Sequence, residues 1–568
     1  MENNNSETPL LSPLDLDVDS WKNDPVSESA AVRFSEITEK WSYKEVICNL
    51  AERYWYDRVD IAGKMIASEQ IRHKKRPPEK KLTAAVYYRK IADGGAERSA
   101  AQLCNILNRM EGPDGAPLYN VILITDEAPL ENEYPLDASV RREFLPSCDT
   151  SVRGEYRARF EAWQSILDRC SIDIVITGQW SSPYTLWDML AVKGHSSRPA
   201  FILHILSFSM RPYQWDSDMG LELLSRYQIC DGAVALSECD KTFIKLFCPN
   251  THCITLPVDY LAENRAAAEK KGHVIIWTGR LDPVKQPEDL IYMMRIVADT
   301  FPDAKLLIVG DGEEDYVRAL KEKVSQLGLT ENIVFTGFTA DPSVYYQSAD
   351  VFVCTSKYEG FGFSLHEALS FSLPIVMYDL PWMTIVKKNK GIKTTEMGRP
   401  DLLAAEITTL FQDKEAALKL GREGREAIDE ISRIDIGAEW KKVFSGIGQT
   451  PALQQKSDER ILFEHLTVYQ EQAKQGLKDT LRQTYAEKSE LNKKLRQTYA
   501  EKSELNKKLQ QTYAEKSEIN RKLQITYGEK SERGKKIKEL EKELADIKAS
   551  TSDKPAHRLS SHTKKNKN

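Results

Sequence analysis

Apolar residues recur with two periods along this chain, and the alternation predicts a series of strands and helices. Short apolar runs predict buried strands at Ala84–Tyr88, Val121–Thr125, Ile172–Thr177, Ala200–Ile205, Gly232–Leu236 and Cys253–Leu256, and again at Val274–Trp277, Lys305–Val309, Ile333–Phe335, Val351–Cys354 and Ile375–Tyr378. Helical spacing between them predicts, among others, Ala96–Arg109, Arg153–Cys170, Glu288–Thr300 and Glu313–Gln326. The pattern therefore predicts two successive doubly wound α/β domains, which face a cleft at the carboxyl ends of their strands.

The segment before the first strand has a different pattern. Residues 1–34 are polar and contain prolines, which predicts disorder. From Ser35 to Ile71 apolar residues recur every three to five positions, which predicts one or two helices that pack on the next domain or on a partner. A basic, proline-containing linker completes the predicted extension, residues 35–81.

The end of the chain is an internal repeat. The 14-residue unit that starts at Leu481 recurs nearly unchanged from Leu495, Leu509 and Leu523. Fourteen residues are two heptads, and a seam of mixed apolar and polar layers runs through Leu481, Tyr485, Lys488, Asn492 and Leu495. The repeat predicts a helical coiled coil over 451–550, which joins copies of this chain or binds a coiled-coil partner. A basic, disordered tail is expected at 551–568.

Charge and composition narrow the classes of ligand. The 568 residues carry a net charge of −6, but basic residues outnumber acidic ones after Leu481, so the body is acidic and argues against nucleic acid. The basic tail is either the solvated face of a coiled coil or a contact for an anionic membrane. We expect a cytoplasmic protein with at most peripheral contact at the inner membrane face, because the sequence shows no secretion signal and no apolar run of spanning length.

Cysteines offer little chemistry in this sequence. Nine are present, scattered and without a C-x-x-C pair. Cys248, His252 and Cys253 lie close together but lack a second pair of ligands, so zinc is not expected.

The candidate chemistry centres on Glu359-Gly-Phe-Gly-Phe-Ser-Leu-His-Glu367. This segment follows a predicted strand and runs through a glycine-containing loop into a predicted helix, Ser364–Ser372. A helix that begins after a glycine loop presents backbone N–H groups to phosphate. A carboxylate one turn later is placed to accept hydrogen bonds from sugar hydroxyls. The spacing indicates a ligand that carries both, such as a nucleotide-sugar.

Two cations follow the first strand of the second series, in Thr278-Gly-Arg-Leu-Asp-Pro-Val-Lys285. Arg280 and Lys285 would stand at the same edge of the sheet as Glu359, where a departing diphosphate needs positive charge. Taken alone, both would be interpreted as solvated surface cations, but the Glu359–Glu367 loop at the same edge favours a role in binding phosphate.

The first domain offers weaker signals. Gly94 and Gly95 open a predicted helix and either let phosphate or sugar approach the backbone or simply form a tight turn. Arg98 either meets an anion or forms a surface salt bridge. His204 lies near the end of an apolar strand, where it is either a core residue or a residue of the cleft. Asp216-Ser-Asp218 matches a manganese-binding D-x-D pattern, but it follows no apolar strand, so we interpret it as a chance match and expect no metal site.

Taken in order, these segments resemble the retaining glycosyltransferases of family 4, which have the GT-B architecture of two Rossmann-like domains. The resemblance rests on Gly94-Gly-Ala-Glu-Arg98, the Ser237 region, Leu256-Pro-Val-Asp259, Gly279-Arg-Leu-Asp-Pro-Val-Lys285, Leu306-Leu-Ile-Val-Gly-Asp-Gly312, Asn332-Ile-Val-Phe-Thr-Gly337 and the E-x7-E pattern from Glu359 to Glu367. It covers roughly residues 82–445. It implies an acceptor-side domain at 82–262 and a nucleotide-sugar domain at 263–450, with Asp435–Phe444 as a helix that returns to the first domain.

The resemblance also implies roles. Arg280 and Lys285 would bind the donor diphosphate, Glu359 the transferred sugar and Glu367 the ribose. Backbone donors would come from Gly362, Phe363, Ser364 and Leu365, and Gly94 and Gly95 would approach the donor from the opposite domain. His204 matches a histidine near the donor sugar. Gln286 departs from the family, which usually has glycine there, and the loop Ser207–Met219 resembles nothing in it.

The expected reaction is transfer of a hexose, without metal or other cofactor, from a nucleoside-diphosphate sugar, with uridine as the usual base. The acceptor would be a glycan, a lipid-linked sugar or a polymer of the cell surface. Retention would arise through a covalent carboxylate intermediate or through front-face attack, and we favour the second. Alternatives are a nucleotide-sugar epimerase or a phosphorylase of the same fold, or a non-catalytic coiled-coil scaffold.

Overall fold

The computed structural model describes residues 42–54, 81–147, 156–182, 184–210, 220–258, 272–339, 341–448, 457–528 and 534–552. The chain folds as two compact units, Met1–Glu471 and Gln472–Asn568. Among the described helices, none is long and apolar enough to cross a bilayer.

The first unit contains two parallel sheets. The strands of the first sheet are β1 (Leu82–Tyr87), β2 (Tyr119–Thr125), β3 (Arg141–Phe144), β4 (Ile174–Thr177), β5 (Ala200–Ile205), β6 (Gly232–Ala235) and β7 (Thr251–Cys253). Those of the second are β8 (Val274–Thr278), β9 (Lys305–Val309), β10 (Ile333–Gly337), β11 (Val351–Cys354), β12 (Ile375–Tyr378) and β13 (Ile392–Thr395). The strand orders are β3-β2-β1-β4-β5-β6-β7 and β10-β9-β8-β11-β12-β13. Two Rossmann-like sheets therefore confirm the predicted fold class.

Helices precede, connect and follow the strands. In the first domain they are α1 (Tyr43–Tyr54), α2 (Gly95–Asn108), α3 (Tyr156–Cys170), α4 (Thr185–Lys193), α5 (Gly220–Ile229) and α6 (Glu238–Ile244). In the second they are α7 (Pro287–Thr300), α8 (Glu314–Gln326), α9 (Ser343–Ser348), α10 (Phe363–Ser370), α11 (Thr384–Lys388), α12 (Pro400–Gln412) and α13 (Lys414–Ile431). The chain continues as α14 (Ile436–Ser445), α15 (Asp458–Gly528) and α16 (Gly534–Ser552).

Apolar side chains cover both faces of each sheet, as expected for parallel strands. In β5 every residue is buried. Phe201 and Leu203 point into the cluster that holds Trp163 and Trp187, whereas Ile202 points into the cluster on the opposite face. Successive residues of a strand face opposite sides, so an apolar run of this kind fits only a strand buried on both faces.

Some predicted boundaries are wrong. The strand predicted at Cys253–Leu256 lies earlier, at Thr251–Cys253, and the strand predicted from Ile172 begins at Ile174. The edge strands β3 and β13 are absent from the prediction. Of the four residues in each, only one is buried, so they lack the apolar run that marks an interior strand.

Helix α14 carries the chain from the second domain back to the first. The Asp435 carboxylate caps it by accepting a hydrogen bond from the Ala438 N–H at 2.9 Å. Trp440, Val443 and Phe444 are buried in a core cluster of the first domain. The Asn250 side-chain amide donates to the Val443 carbonyl at 3.0 Å. Through these contacts the segment Asp435–Phe444 packs against the first domain.

Helix α1 is the described part of the predicted N-terminal stripe. Ile47, Cys48 and Ala51 are fully buried in the first domain, and the Tyr43 hydroxyl donates to the Leu190 carbonyl at 2.8 Å. The predicted disorder of residues 1–34, the rest of the stripe after Tyr54, the loop Asp216-Ser-Asp218 and the tail from residue 553 lie outside the described residues.

Helix α15 contains most of the 14-residue repeat. Its seam residues Leu481, Tyr485 and Leu495 are 55%, 62% and 53% exposed. Neighbouring turns are joined by side-chain pairs such as Gln483–Glu487 and Gln497–Glu501, four residues apart. The repeat therefore folds as a helix whose apolar seam faces solvent.

Candidate active site

A lysine–glutamate ion pair lies at the carboxyl edge of the second sheet. The Lys285 ammonium is 2.6 Å from Oε1 of Glu359, and the Ser356 hydroxyl donates to the same oxygen at 2.7 Å. Burial alone would lower the pKa of Lys285, but the negative charge of Glu359 outweighs it and leaves that pKa raised. The lysine is therefore a fixed positive charge at neutral pH.

Two loops hold this pair in place. The Asp282 carboxylate accepts from the backbone N–H groups of Val284 and Lys285, at 3.0 and 3.2 Å. The Lys357 N–H donates to the Val284 carbonyl, and the Thr355 hydroxyl donates to the Lys285 carbonyl. The loop after β8 is thereby joined to the loop after β11, and residues 74 positions apart in sequence become neighbours.

The strand–glycine–helix order predicted around Glu359–Glu367 is confirmed. Helix α10 follows Gly362, which has φ 74° in the left-handed region that favours glycine. The Leu365 N–H donates to the Gly362 carbonyl at 2.9 Å, so it is already used within the helix. The N–H groups of the two preceding residues, Phe363 and Ser364, have no carbonyl to bond within the helix. Their role toward phosphate stays a prediction.

His366 holds the glycine loop, a function that the sequence did not indicate. Its Nδ1 donates to the Gly362 carbonyl at 3.0 Å, and its ring stacks on Phe361 with centroids 3.8 Å apart. Burial lowers the pKa of His366 to about 4, so the ring is neutral at physiological pH.

Glu367 has partners different from those of Glu359. Its Oε2 accepts from the Tyr346 hydroxyl at 3.1 Å, and Arg98 Nη1 of the first domain lies 3.4 Å from its Oε1. The two carboxylates therefore do not form a pair, as an acid and base sharing one proton would. Of the two alternatives for Arg98, the structure shows a salt bridge, and the partner is a residue of the candidate site.

The first domain meets this site through a glycine. A Cβ added to Gly95 would stand 2.8 Å from Cδ2 of Phe363, closer than side chains allow. The Arg98 guanidinium carbon lies 5.3 Å from the centroid of the same ring. The structure thus brings Gly95 against α10. Gly94 precedes it as the extended N-cap of α2.

Aromatic rings make a second contact between the domains. Phe208, three residues after β5, stacks on Trp382 of the second domain at 4.2 Å with 7° between the planes. The Trp382 indole N–H donates to the Glu359 carbonyl at 3.2 Å. This stack lies beside the ion pair and was not predicted, because the two rings belong to loops without a recognisable motif.

Two predicted site residues are placed differently. His204 is 4% exposed and packs edge-on against Trp440, and burial lowers its pKa to about 3. Arg280 is 78% exposed and pairs with Asp282 at 2.8 Å. Neither contacts Glu359 or Lys285 in the hydrogen bonds and ion pairs of the described residues. Their roles toward a donor stay predictions.

The described residues contain no group of three or more histidine, cysteine or acidic residues arranged to hold a metal ion. Among the residues considered for zinc, His252 Nε2 lies 3.1 Å from Oδ1 of Asn250, and Cys248 is buried.

Comparisons with known proteins agree with the fold. Sucrose-phosphate synthase from Thermosynechococcus elongatus superposes with a TM-score of 0.53 at 18% identity, over 64% of this chain and 98% of that one. A glycosyltransferase from Rickettsia africae superposes with a TM-score of 0.51 at 17% identity, over 65% of this chain and all of that one. At these identities the likeness shows the fold, which is that of GT-B glycosyltransferases.

The sequence comparisons indicate the class within that fold. Residues 262–427 match the family described as glycosyl transferases group 1. An uncharacterized glycosyltransferase from Haemophilus influenzae is 28% identical over 357 residues, which are 62% of this chain and 96% of the relative. The poly(glycerol-phosphate) alpha-glucosyltransferase of Bacillus subtilis is 29% identical over 191 residues, or 33% of this chain, and these span only 28% of that relative. Fold, site and matches together support a GT-B glycosyltransferase.

Proposed function

We propose that this chain is a retaining glycosyltransferase of family 4 that takes a hexose from a nucleoside-diphosphate sugar, with UDP as the expected nucleotide. The observation that carries the proposal is the arrangement at the edge of the second sheet. The Lys285–Glu359 pair and Glu367 lie on either side of a helix N-terminus, and Gly95 of the first domain faces that helix. Phosphate, sugar and ribose are the groups that such a set would bind.

Each residue has a proposed role in this reaction. Lys285 and the exposed Arg280 would neutralise the diphosphate, and the N–H groups at the start of α10 would donate to its oxygens. Glu359 would bind hydroxyls of the transferred sugar, and Glu367 those of the ribose. Gly94 and Gly95 would let the donor lie against the first domain, with His204 near the sugar.

The proposed chemistry is front-face substitution at the anomeric carbon. The bond from that carbon to the phosphate oxygen breaks, and the acceptor hydroxyl oxygen bonds to the same face of the sugar. The acceptor proton passes to the departing phosphate oxygen. Glu359 is engaged with Lys285 and Ser356, so the proposal assigns it no nucleophilic role. Because Lys285, Arg280 and the helix N-terminus supply positive charge, we propose that no metal is needed.

The acceptor proposal follows the relatives. One of them is named a poly(glycerol-phosphate) alpha-glucosyltransferase. We therefore propose a cell-surface polymer, glycan or lipid-linked acceptor, used on the cytoplasmic side of the membrane.

A donor screen and two variants test the enzyme. Thermal shift with nucleotide-sugars should identify the donor, because a ligand that binds only the folded state stabilises it. Lys285→Ala and Glu359→Ala should then each lose at least a hundredfold in kcat/KM with that donor. Lys357→Ala, an exposed lysine of the same loop, is the matched control and should keep wild-type activity. Wild-type turnover in both site variants would contradict the assignment.

The same assays separate the alternatives. An epimerase would convert the nucleotide-sugar without acceptor, and a phosphorylase would show the absorbance of pyridoxal phosphate bound to a lysine. A scaffold would bind no nucleotide-sugar. Activity that is lost with EDTA and restored by Mn²⁺ would contradict the metal-independent mechanism and direct attention to Asp216-Ser-Asp218.

We also propose that the repeat of α15 joins copies of this chain. The exposed apolar positions Leu481, Leu495 and Leu509 recur every 14 residues, as a coiled-coil seam does. Light scattering should show a smaller assembly for a chain ended at Lys474 than for the full chain. An unchanged number of subunits would exclude the repeat as the oligomerisation element.

A further inference from the structure

We infer that Tyr346 is a positioning residue, which orients the Glu367 carboxylate toward the ribose of the donor. The inference rests on the proposed function, and it concerns a residue that lies outside the motif from Glu359 to Glu367. Tyr346 belongs to α9, a short helix between β10 and β11, 21 positions from Glu367.

The hydrogen bonds at Tyr346 have one consistent direction. Its hydroxyl lies 3.1 Å from Oε2 of Glu367 and 2.8 Å from Oγ1 of Thr278. An ionised carboxylate only accepts, so the single phenolic proton goes to Glu367 and the Thr278 hydroxyl donates to the phenolic oxygen. The end of β8, the helix α9 and the helix α10 are thereby connected at one carboxylate oxygen.

The ring of Tyr346 has no room to move away. The residue is 0% exposed, stacks on Phe371 at 5.3 Å with 19° between the planes, and packs against Phe352 at 6.2 Å. A rigid ring fixes the hydroxyl in space, and the hydroxyl fixes the carboxylate, whose own side chain is otherwise a flexible one.

The arrangement leaves Oε1 of Glu367 directed toward the first domain. Arg98 lies 3.4 Å from this oxygen, which is long for a charged hydrogen bond, and the carboxylate remains 19% exposed. A carboxylate oxygen accepts more than one hydrogen bond. Tyr346 thus holds one oxygen from behind, while the other faces the cleft in which the donor would lie.

Removing one hydroxyl tests this role. The probes are UDP, GDP, ADP and CDP, each with its 2′-deoxy and 3′-deoxy counterparts, in isothermal titration calorimetry with the full chain. We expect the wild type to bind the preferred ribonucleotide about tenfold more tightly than the counterpart lacking the hydroxyl bound by Glu367. In Tyr346→Phe this preference should fall to less than threefold, and the affinity for the deoxy form should stay unchanged.

The controls separate positioning from structural support. Tyr345→Phe changes the preceding residue of the same helix and should keep the tenfold preference. Thr278→Val should lower this preference partly, and Thr278→Ser, which keeps the hydroxyl, should have the same preference as the wild type. On a Glu367→Gln background, Tyr346→Phe should change the affinity less than twofold, because the two residues act as one unit. With the donor sugar, KM should rise about three- to tenfold in Tyr346→Phe while kcat changes less than twofold.

Each outcome decides between the two proposals. If Tyr346→Phe weakens the ribonucleotide and the deoxynucleotide equally, or weakens neither, the positioning role is wrong while the donor site stands. If the wild type binds no nucleoside diphosphate, the proposed function fails, and the role of Tyr346 fails with it.

Discussion

The two domains contribute different kinds of residue to their common boundary. The second domain contributes polar side chains that are fixed to one another, with Lys285 and Ser356 on Glu359 and Tyr346 on Glu367. The first domain contributes close approach, through Gly95 against Phe363 and the stack of Phe208 on Trp382, and one cation, Arg98, beside Glu367. The difference indicates that recognition of an anionic, hydroxyl-rich ligand is built into the second domain, and that the first domain mainly supplies fit.

Variants of the Lys285–Glu359 ion pair should give the largest loss of activity, and they can distinguish a role in catalysis from a role in stability. Glu359→Gln should lower kcat/KM about a thousandfold and lower the free energy of unfolding by about 2 kcal/mol, because it leaves the partly buried Lys285 without its counter-charge. Lys285→Met combined with Glu359→Gln should regain most of the stability and none of the activity. Denaturant unfolding and steady-state kinetics measure the two. Activity regained together with stability would show that the pair serves only the fold.

A variant that disturbs the packing of the first domain against α10 should lower kcat/KM by a smaller factor. Gly95→Ala should lower kcat/KM about a hundredfold, because its Cβ would stand 2.8 Å from the Phe363 ring and separate the two domains. The unfolding free energy should change by less than about 1 kcal/mol, since the helix itself tolerates alanine. Gly95→Ala with Phe363→Leu should recover part of the loss. An unaffected kcat/KM in Gly95→Ala would show that the two domains need not approach this closely.

The comparison extends to pH, because each domain buries a neutral histidine. Burial lowers the pKa of His204 to about 3 and that of His366 to about 4, so both take up protons on unfolding below pH 6.5. Stability therefore falls as pH decreases from 6.5, by about 2 kcal/mol per histidine at pH 4.5. His204→Leu and His366→Asn should each remove about 2 kcal/mol from the fall in unfolding free energy between pH 6.5 and pH 4.5, as measured by urea unfolding. A pH dependence identical to the wild type in both variants would contradict the burial of neutral rings.

The aromatic contact should give the smallest effect. Phe208→Ala should weaken closure by about 1 kcal/mol, seen as a rise of several-fold in donor KM at constant kcat. Phe144→Ala, at an exposed ring of the first domain far along the sheet, is the control and should leave KM unchanged. A larger change in kcat than in KM would assign Phe208 to the reaction itself.

The sequence predicted the interior of the fold better than its edges. The strands β5, β9, β11 and β12 were predicted with the observed bounds, because burial on both faces leaves an uninterrupted apolar run. β3, with the sequence Arg-Arg-Glu-Phe, has no such run because one of its sides faces solvent. Edge strands are held by backbone pairing with a neighbour, which no local pattern records.

The candidate site also has one part that the sequence predicts and another that only the fold shows. The spacing of Glu359, Gly362 and Glu367 along one loop and helix could be recognised from sequence. Other features of the site depend on contacts between segments that are distant in the sequence. They are the pairing of Lys285 with Glu359, the hydrogen bond from Tyr346 to Glu367 and the packing of His204 against Trp440. The order of the strands in the sheet determines these contacts, so the sequence alone does not predict them.

The return helix α14 has a consequence for synthesis of the chain. Trp440 and Phe444 complete a core that also contains Val234 and Tyr119 of the first domain. On the ribosome the first domain is finished long before these two aromatic residues emerge, and until then that apolar face is open to water. The core of the nascent first domain therefore stays incomplete until the second domain has been synthesised. During that interval its exposed apolar face is a binding site for chaperones.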